Sequence, residues 1–340
     1  MKTRKVDIVV IGAGIAGLSF ARAIQQQGRQ VLILERSRAV GGRCATWRQA
    51  DMALDYGVPF LHARSPLFWH TVDQLLGADV LSGWPQRVQG NGPTCQPRAL
   101  DPGVRHAALR GGLNTLAKKL AEGIEILRES EVTNIKTIQG SFQLSGANFS
   151  FSTQTLVLAA ANGESLRLLK DSDFGPSTAG AMALFGLAPT LPTLSLLVCY
   201  DTFPAQPDWD LLLPETSNSI QLISNESNKN AAGHQVGLCI QAQPAWSRQR
   251  LQAPAEEWTR DILHDAALLL GDWVMQPDWQ RPHRWLESRL DSASRLRAPI
   301  LQHIAGCKLG IIGEYFNPAG GLEGAFLSGR HLADLLKEIK

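Results

Sequence analysis

The sequence lacks the features of a disulfide-bonded, metal-binding or membrane-spanning protein. Its five cysteines, at positions 44, 95, 199, 239 and 307, are scattered, odd in number, and form no Cys-x-x-Cys pair and no cluster with histidine. This pattern argues against a disulfide framework and a structural zinc site, and it favours a reducing compartment. No stretch approaches the roughly 20 apolar residues needed to cross a bilayer. We therefore expect a cytoplasmic protein with no bound metal and no membrane partner.

The sequence also lacks a large excess of positive or negative charge. The formal net charge is +2 at pH 7 and no block of like charges stands out, so there is no electrostatic case for a nucleic-acid partner. Three basic residues within positions 1–5 precede an apolar run, as in a signal peptide. Asp7 interrupts that run, and the glycines that follow are spaced for a phosphate, so we interpret it as folded protein. A chain of 340 residues is long enough for two domains.

The first 28 residues are typical of a dinucleotide site. An apolar run over residues 6–11 predicts a buried parallel strand, and it is followed by the spacing Gly-x-Gly-x-x-Gly at Gly12, Gly14 and Gly17. Such a turn lets a pyrophosphate approach the backbone at the N-terminus of the next helix. Apolar residues at three- and four-residue spacings predict that helix over residues 15–27, before Gly28.

A second strand and an acidic residue complete the pattern. We predict a strand over residues 31–34, and Glu35 at its end is placed to accept hydrogen bonds from ribose hydroxyls. The charge of Glu35 disfavours the 2'-phosphate of NADP. Gly41, Gly42 and Arg43 suit a close backbone approach and a phosphate contact, although a solvated surface turn explains these three residues equally well. The residues to this point leave NAD and FAD open.

Further elements follow along the chain. We predict a helix from Ser65 that ends at Gly77, a hairpin or loop over residues 82–104, and a turn and helix from Gly111. We also predict buried or edge strands and a C-terminal helix that starts at a double glycine, whose unpaired amides can face an electron-rich group. The predicted strands span residues 124–127, 130–135, 155–160 and 309–314. Residues 166–299 contain six of the nine tryptophans and are expected to form a mixed sheet backed by helices.

Taken together, these motifs resemble those of renalase and its bacterial relatives, within the amine-oxidase-like FAD superfamily, across essentially the whole chain. The resemblance is carried by Gly12, Gly14, Gly17, Glu35, residues 41–43, the Leu-Asp-x-Gly at 54–57, residues 111–112, 246–249, 283–285, 313–314, 323–325 and 328–329.

The resemblance implies an α/β fold, α+β overall, in which a substrate domain interrupts a Rossmann-type FAD-binding domain. This is the architecture of p-hydroxybenzoate hydroxylase and of amine-oxidase-like flavoproteins, in which the substrate domain has a mixed sheet. The FAD-binding domain would comprise residues 1–64, 105–165 and 300–340. The substrate domain would comprise residues 65–104 and 166–299.

FAD is therefore the implied cofactor, and we expect it to be bound without a covalent link, because the C-terminal motif has no cysteine for attachment. The implied FAD contacts are Gly12, Gly14, Ile15, Ala16, Glu35, Arg36, Gly42, Arg43, Gly57, Val58, Val132, Gly313, Glu314, Gly321, Leu322, Glu323 and Ala325.

Membership of the renalase group would imply a reaction. Renalases oxidise dihydronicotinamide dinucleotides that are reduced at the 2 or 6 position by hydride transfer to FAD, and oxygen then reoxidises the flavin to give hydrogen peroxide. The expected partners are a small-molecule substrate and oxygen or another electron acceptor. We expect a monomer or a weak dimer.

The sequence departs from the renalase pattern where substrate would bind. Gln241 stands where renalases usually carry histidine, and Gly57-Val58-Pro59-Phe60 stands where they tend to have Gly-Ala-Gln-Tyr. We take Gln241, Trp285 and Phe60 as candidate catalytic-pocket residues. His62 and His283 are more often structural than catalytic in such positions.

Two other functions stay open. The second candidate, after the renalase-type reaction, is an amine or amino-acid oxidase. It is the weaker enzymatic candidate, because residues 231–247 contain no lysine of the kind expected to face the flavin in polyamine and monoamine oxidases. A flavin-holding protein that has lost turnover is the third, motivated by the changed pocket residues.

Overall fold

The computed structural model describes residues 3–49, 51–93, 98–172, 174, 178–201, 207–229, 235–291 and 295–338. Within these ranges the strands are β1 Arg4–Lys5, β2 Ile8–Ile11, β3 Val31–Leu34, β4 Thr46–Gln49, β5 Met52–Asp55, β6 Leu61–Ala63, β7 Val80–Ser82, β8 Val88–Gln89, β9 Arg105–Leu109, β10 Glu125–Leu127, β11 Asn134–Ile138, β12 Ser141–Gly146, β13 Phe149–Thr153, β14 Thr155–Leu158, β15 Thr190–Tyr200, β16 Leu211–Leu212, β17 Ile220–Asn225, β18 Val236–Ala242, β19 Trp279–Leu290, β20 Ile300–Ile304 and β21 Cys307–Ile311. The helices are α1 Ile15–Gln26, α2 Pro66–Leu76, α3 Asn114–Ala121, α4 Asn162–Asp171, α5 Ala179–Gly186, α6 Pro244–Arg250, α7 Ala255–Leu270 and α8 Gly321–Glu338.

The chain divides into two compact units. Unit 1 comprises Met1–Gly42, Leu116–Thr190 and Leu290–Lys340. Its central sheet has the strand order β10-β3-β2-β14-β21-β20, in which β20 runs antiparallel to β21 and the other neighbours are parallel. Every residue of β2, β3 and β14 is buried. Their continuous apolar sequences fit this position, because both faces of a parallel sheet are normally covered.

Helices from both ends of the chain cover unit 1. The hydroxyl of Ser19 in α1 donates to the carbonyl of Phe326 in α8 over 2.8 Å, inside the contact between these helices. A second sheet, with the order β1-β13-β12-β11, belongs to the same unit. One buried cluster includes Leu156 of the central sheet, Leu168 of α4 and Phe185 of α5.

Unit 2 comprises Arg43–Thr115 and Leu191–Arg289. Its largest sheet has the order β19-β15-β18-β17-β16-β8, and two smaller sheets are β4-β5 and β6-β9-β7. Helix α7 packs on this unit through Trp258, which is fully buried in a cluster with Leu196 and Ile240. Unit 2 is thus a mixed sheet backed by helices, as the sequence predicted.

The fold class is confirmed, and most predicted elements have their counterparts within two or three residues. One strand prediction is wrong in its bounds: residues 130–133 are not in a strand, and β11 begins at Asn134. The cause is local, because Glu129 has a φ of +52° and the amide of Ser130 donates to the carbonyl of Glu35. The chain therefore turns away from β10 before it pairs with β12.

The compact units have different bounds from the predicted domains. Residues 43–64 and 105–115 group with unit 2, because Met52 and Leu54 of the β4-β5 hairpin pack against Leu197 and its neighbours in β15 and β18. Residues 166–190 group with unit 1, because α4 and α5 contribute to its buried cluster.

Among the described residues, no helix combines the length and hydropathy needed to cross a membrane. The same ranges contain no group of three or more histidine, cysteine or acidic side chains arranged to hold a metal ion. Four cysteines are buried as free thiols, at positions 44, 199, 239 and 307, while Cys95 lies outside the described residues.

Candidate functional site

The glycine-rich turn of unit 1 joins β2 to α1. The amide of Gly12 donates to the carbonyl of Leu34 over 2.9 Å, and a side chain at Gly12 would place its Cβ 2.8 Å from the carbonyl oxygen of Ala159. Only glycine fits there. Helix α1 begins after Gly14 with no side-chain cap and no acidic residue in its first turn. Its first amides, including those of the buried Ile15 and Ala16, therefore form a site suited to an anion.

Glu35 fixes this turn as well as facing it. Its Oε2 accepts a hydrogen bond from the amide of Ala13 over 2.7 Å, and its Oε1 accepts from the amide of Ser37 over 2.8 Å. Each carboxylate oxygen has more than one acceptor direction, so these bonds leave capacity for a ribose hydroxyl. The structure thus brings Glu35 to the turn, as the sequence predicted.

The double glycine lies directly against the same turn. Gly41 forms a parallel bridge with Gly14, and its amide donates to the carbonyl of Ala13 over 2.8 Å. A Cβ on Gly42 would lie 3.6 Å from the Cα of Gly14, which is an ordinary contact. Two motifs 27 residues apart in the sequence therefore form one backbone surface.

The two arginines predicted to contact the cofactor already have protein partners. The guanidinium of Arg36 pairs with Glu164 over 3.5 Å, and that side chain is largely exposed. The first residue of unit 2, Arg43, donates from Nη1 to the carbonyl of Ser288 over 3.1 Å. Their phosphate contacts stay predictions.

The C-terminal motif provides a second helix start in unit 1. The amide of Gly313 donates to the hydroxyl of Ser328 over 3.0 Å, and Gly321 opens α8. The first five residues of α8 include Leu322, Glu323 and Ala325. The preceding 3-10 turn starts at Glu314. Val132, by contrast, has its side chain in the core at 3% exposure, so any cofactor contact there would come from its backbone.

In unit 2 the segment Tyr56–Gly57 is held tightly by its neighbours. A Cβ at Gly57 would lie 2.1 Å from the carbonyl oxygen of Arg43 and 3.1 Å from an atom of the Trp285 ring. The amide of Val58 donates to that same carbonyl over 2.9 Å. Glycine at position 57 therefore allows the backbone and an indole ring to meet.

Two of the three candidate pocket residues meet at this segment. Gln241 donates from Nε2 to the carbonyl of Gly57 over 2.5 Å, and Trp285 donates from Nε1 to the carbonyl of Tyr56 over 2.9 Å. Phe60 lies elsewhere: it is 2% exposed in a core cluster with Trp84 and its neighbours. A role for Phe60 in the catalytic pocket stays a prediction.

Three rings form a compact cluster beside Gly57. The Tyr56 and Trp285 rings lie 5.4 Å apart, the Tyr56 and His283 rings 4.9 Å, and the His283 and Trp285 rings 4.4 Å. Burial, helped by the charge of Arg281, lowers the pKa of His283 to about 4. His283 is therefore a neutral imidazole at neutral pH, and it can stack or accept a hydrogen bond without carrying charge.

His62 is also neutral at physiological pH. Burial, with a smaller contribution from His106 directly across the strand pair, lowers its pKa to about 4. This supports the structural role that the sequence favoured for His62.

The sequence reasoning missed a fully buried charge cluster in unit 2. The Lys229 ammonium donates to both carboxylate oxygens of Glu226 over 2.8 Å, to Oδ2 of Asp55 over 3.2 Å and to the carbonyl of Pro59 over 2.6 Å. The three charged side chains are at most 1% exposed. Ser224 also hydrogen-bonds Glu226. The cluster anchors both ends of the segment from Asp55 to Pro59.

The cluster holds one carboxylate more than it has ammonium groups. Burial, reinforced by Asp55 and opposed by Lys229, raises the pKa of Glu226 to about 7. Lys229 lies two positions before residues 231–247, the segment in which a flavin-facing lysine would be expected of an amine oxidase. A Glu-x-x-Lys in a turn normally indicates an exposed pair, so the local sequence carried no signal of burial.

Comparison with known proteins supports the dinucleotide turn. A family model described as an NAD(P)-binding Rossmann-like domain matches residues 10–75. AofH of Mycobacterium tuberculosis (strain CDC 1551 / Oshkosh), a protein provisionally named as a flavin-containing monoamine oxidase, is 48% identical over 56 residues. Polyamine oxidase 2 of Arabidopsis thaliana is 40% identical over 62 residues. These alignments cover 16 and 18% of this chain but only 12 and 13% of the relatives.

Likeness in three dimensions extends further. The structure of wild-type putrescine oxidase bound to putrescine superposes with a TM-score of 0.70 at 13% identity, and the superposition covers 99% of this chain and 100% of that one. The fold is similar to that of putrescine oxidase. At this identity the likeness concerns the fold alone.

Proposed function

We propose that the protein is an FAD-dependent oxidoreductase of the renalase type. In this proposal FAD accepts a hydride from a 2- or 6-dihydronicotinamide dinucleotide or another small flat substrate, and oxygen then takes up the two electrons, with protons, to give hydrogen peroxide. The observation that carries the proposal is the ring cluster of Tyr56, His283 and Trp285 beside Gly57. Flat rings favour stacked or edge-on neighbours of this kind.

The residues of unit 1 fit FAD. A pyrophosphate suits the uncapped start of α1, the close glycine backbone at Gly14 and Gly42 gives it room, and Glu35 retains acceptor capacity for a ribose. The start of α8 at Gly321 offers amides to an electron-rich ring edge. We propose that FAD is bound without a covalent link, and acid precipitation should then leave all of the flavin in the supernatant.

The residues of unit 2 suit a reaction that needs orientation more than proton transfer. A dihydronicotinamide ring that loses hydride becomes aromatic, so no general base is required. Neutral His283 and the indole of Trp285 can hold a ring by contact, while Gln241 fixes the Gly57 carbonyl. Positioning of this kind supplies a large part of the barrier reduction in oriented reactions.

Anaerobic mixing tests the proposal. The purified yellow protein should be bleached within seconds by 2- or 6-dihydroNAD, and admitted air should restore the colour with one peroxide formed per substrate consumed. A Trp285→Leu variant should slow the bleaching about tenfold or more, since it loses the stacking ring and its hydrogen bond. Failure of both dihydronucleotides to bleach the wild-type flavin would exclude this substrate class.

An amine oxidase is the second candidate, and the amine-oxidising relatives favour it. A peroxide assay over monoamines, polyamines and amino acids decides between the two. If neither amines nor dihydronucleotides reduce the flavin, the protein is a flavin-binding module without this turnover.

A further inference from the structure

Strand β19 of unit 2 presents aromatic and cationic side chains on one face. Alternate residues of a strand point to the same side, so Trp279, Arg281, His283 and Trp285 share a face. All four are partly buried, whereas Arg284 on the other face is exposed. The guanidinium of Arg281 therefore lies on the same face of the strand as the ring cluster beside Gly57.

The Arg281 guanidinium is stacked on an indole ring. Its Cζ lies 3.7 Å from the ring centroid of Trp47, which in turn stacks on Trp279 at 6.4 Å with an interplanar angle of 14°. Within the described part of the chain, no carboxylate pairs with Arg281. Arg105 and Arg167 differ, since each is paired with a carboxylate at 2.7 Å.

The positive charge of Arg281 extends over the ring cluster. It contributes, after burial, to the lowered pKa of His283, and it opposes the rise that burial causes in the pKa of Tyr56. A ligand that stacks on these rings therefore lies in a positive field. A substrate ammonium would be repelled there, and an anion would be attracted.

We propose that Arg281 binds an anionic group of the substrate, so that this surface takes a flat heteroaromatic ring bearing a carboxylate or phosphate in preference to an amine. The planar guanidinium fork matches both anions, and the surrounding rings stack on the heterocycle. Arg281 and the stacked Trp47 and Trp279 form one end of the surface, and the rings of Tyr56, His283 and Trp285 form the other. The inference rests on the proposed function for the reaction that follows binding, but binding is measured separately.

Calorimetric titration of the flavin-loaded protein with four pyridines tests this selectivity. Nicotinamide carries no charge, nicotinate carries a ring carboxylate, 3-pyridylmethyl phosphate carries a phosphate, and 3-(aminomethyl)pyridine carries an ammonium. At least one of the two anions should bind about tenfold or more tightly than nicotinamide, and the ammonium compound should bind more weakly than nicotinamide. Whichever anion binds more tightly shows whether the carboxylate or the phosphate is the group recognised.

Three variants localise the effect. Arg281→Gln should abolish the preference for the anion, while Arg281→Lys should keep part of it because charge remains without the fork. Arg284→Gln is the matched control, since it removes an exposed arginine from the other face of β19 and should leave the preference unchanged. Urea midpoints close to that of the wild type confirm that each variant is folded.

Equal affinities of the wild type for nicotinamide and both anions, or an anion preference that survives Arg281→Gln, would overturn the inference. Tighter binding of the ammonium compound would do the same. An intact anion preference without bleaching by dihydroNAD would instead reject the proposed reaction while the anion site stands. Bleaching without any anion preference would reject the anion site alone.

Discussion

Two ion pairs in this protein have the same chemistry and opposite surroundings. Lys119 and Glu122 are three residues apart and 2.8 Å apart in unit 1, with 43 and 60% of their side chains exposed. Glu226 and Lys229 are also three residues apart and 2.8 Å apart, in unit 2, with 0 and 1% exposed. The contact distance is the same, so any difference in energetic effect comes from the solvent and the neighbours.

Those neighbours differ completely. Around Lys119 water can solvate either charge when the other is removed. Lys229 instead contacts Asp55, the carbonyl of Pro59 and the ring of Trp84, with its nitrogen 4.5 Å from that ring centroid. Removing Lys229 there leaves two buried carboxylates without the ammonium that neutralises them, and such charges are costly in a protein interior.

The largest expected effect follows from Lys229→Met. The substitution leaves the carboxylates of Asp55 and Glu226 buried without a cation, so we expect a loss of about 3–5 kcal/mol in the free energy of unfolding. Urea unfolding followed by circular dichroism measures it.

A double variant separates charge from shape in that experiment. Lys229→Met combined with Glu226→Gln restores the original excess of one carboxylate, so it should recover part of the lost stability. A double variant no more stable than the single one would show that packing of the lysine, and not its charge, holds the segment from Asp55 to Pro59.

The next effect is a pH dependence. The pKa of Glu226 is raised by folding from 4.5 to about 7, so the folded state holds a proton that the unfolded state releases within this interval. The stabilisation is complete below the lower value and is lost as pH rises through the upper one, by up to about 1.4 kcal/mol per pH unit. Comparison of the wild type with Glu226→Gln at unit steps of pH should show this slope only in the wild type.

Parallel stability curves for these two proteins would mean that Glu226 does not exchange a proton in that interval. A slope of the same size in Glu226→Gln would also contradict the prediction, because that variant has no titratable group at position 226.

The smallest effect is expected for Lys119→Met. An exposed pair with this spacing contributes about 0.2–1 kcal/mol, and added salt screens it further. The same urea assay should place this variant within about 1 kcal/mol of the wild type. A loss as large as that of Lys229→Met would abolish the contrast between the two pairs.

The two units also differ in how much of their structure could be predicted from the sequence. The turn from Gly12 to Gly17, the strand that ends at Glu35 and the double glycine lie within 43 residues, and local spacing was enough to predict that they meet. Within such a local pattern the residue spacing determines which residues meet, because strand, turn and helix follow one another directly along the chain.

The side chains of unit 2 carry no such signal. Lys229 meets Asp55 across 174 positions, and Trp285 meets Tyr56 across 229. Sequence resemblance singled out Gln241 and Trp285 but also Phe60, which lies in the core. Whether a lysine is buried or an aromatic ring faces a ligand depends on packing among distant segments, and residue spacing does not report that.

The interleaved segments of unit 1 have a consequence for biosynthesis. The central strand β14 lies between β2, from the start of the chain, and β21, from near its end, and α1 packs on α8. Synthesis must therefore pass Ile311, the last residue of β21, before this sheet can close. The nascent strand β2 forms before β14 and β21 exist, which gives chaperones a long interval in which to bind its exposed apolar residues.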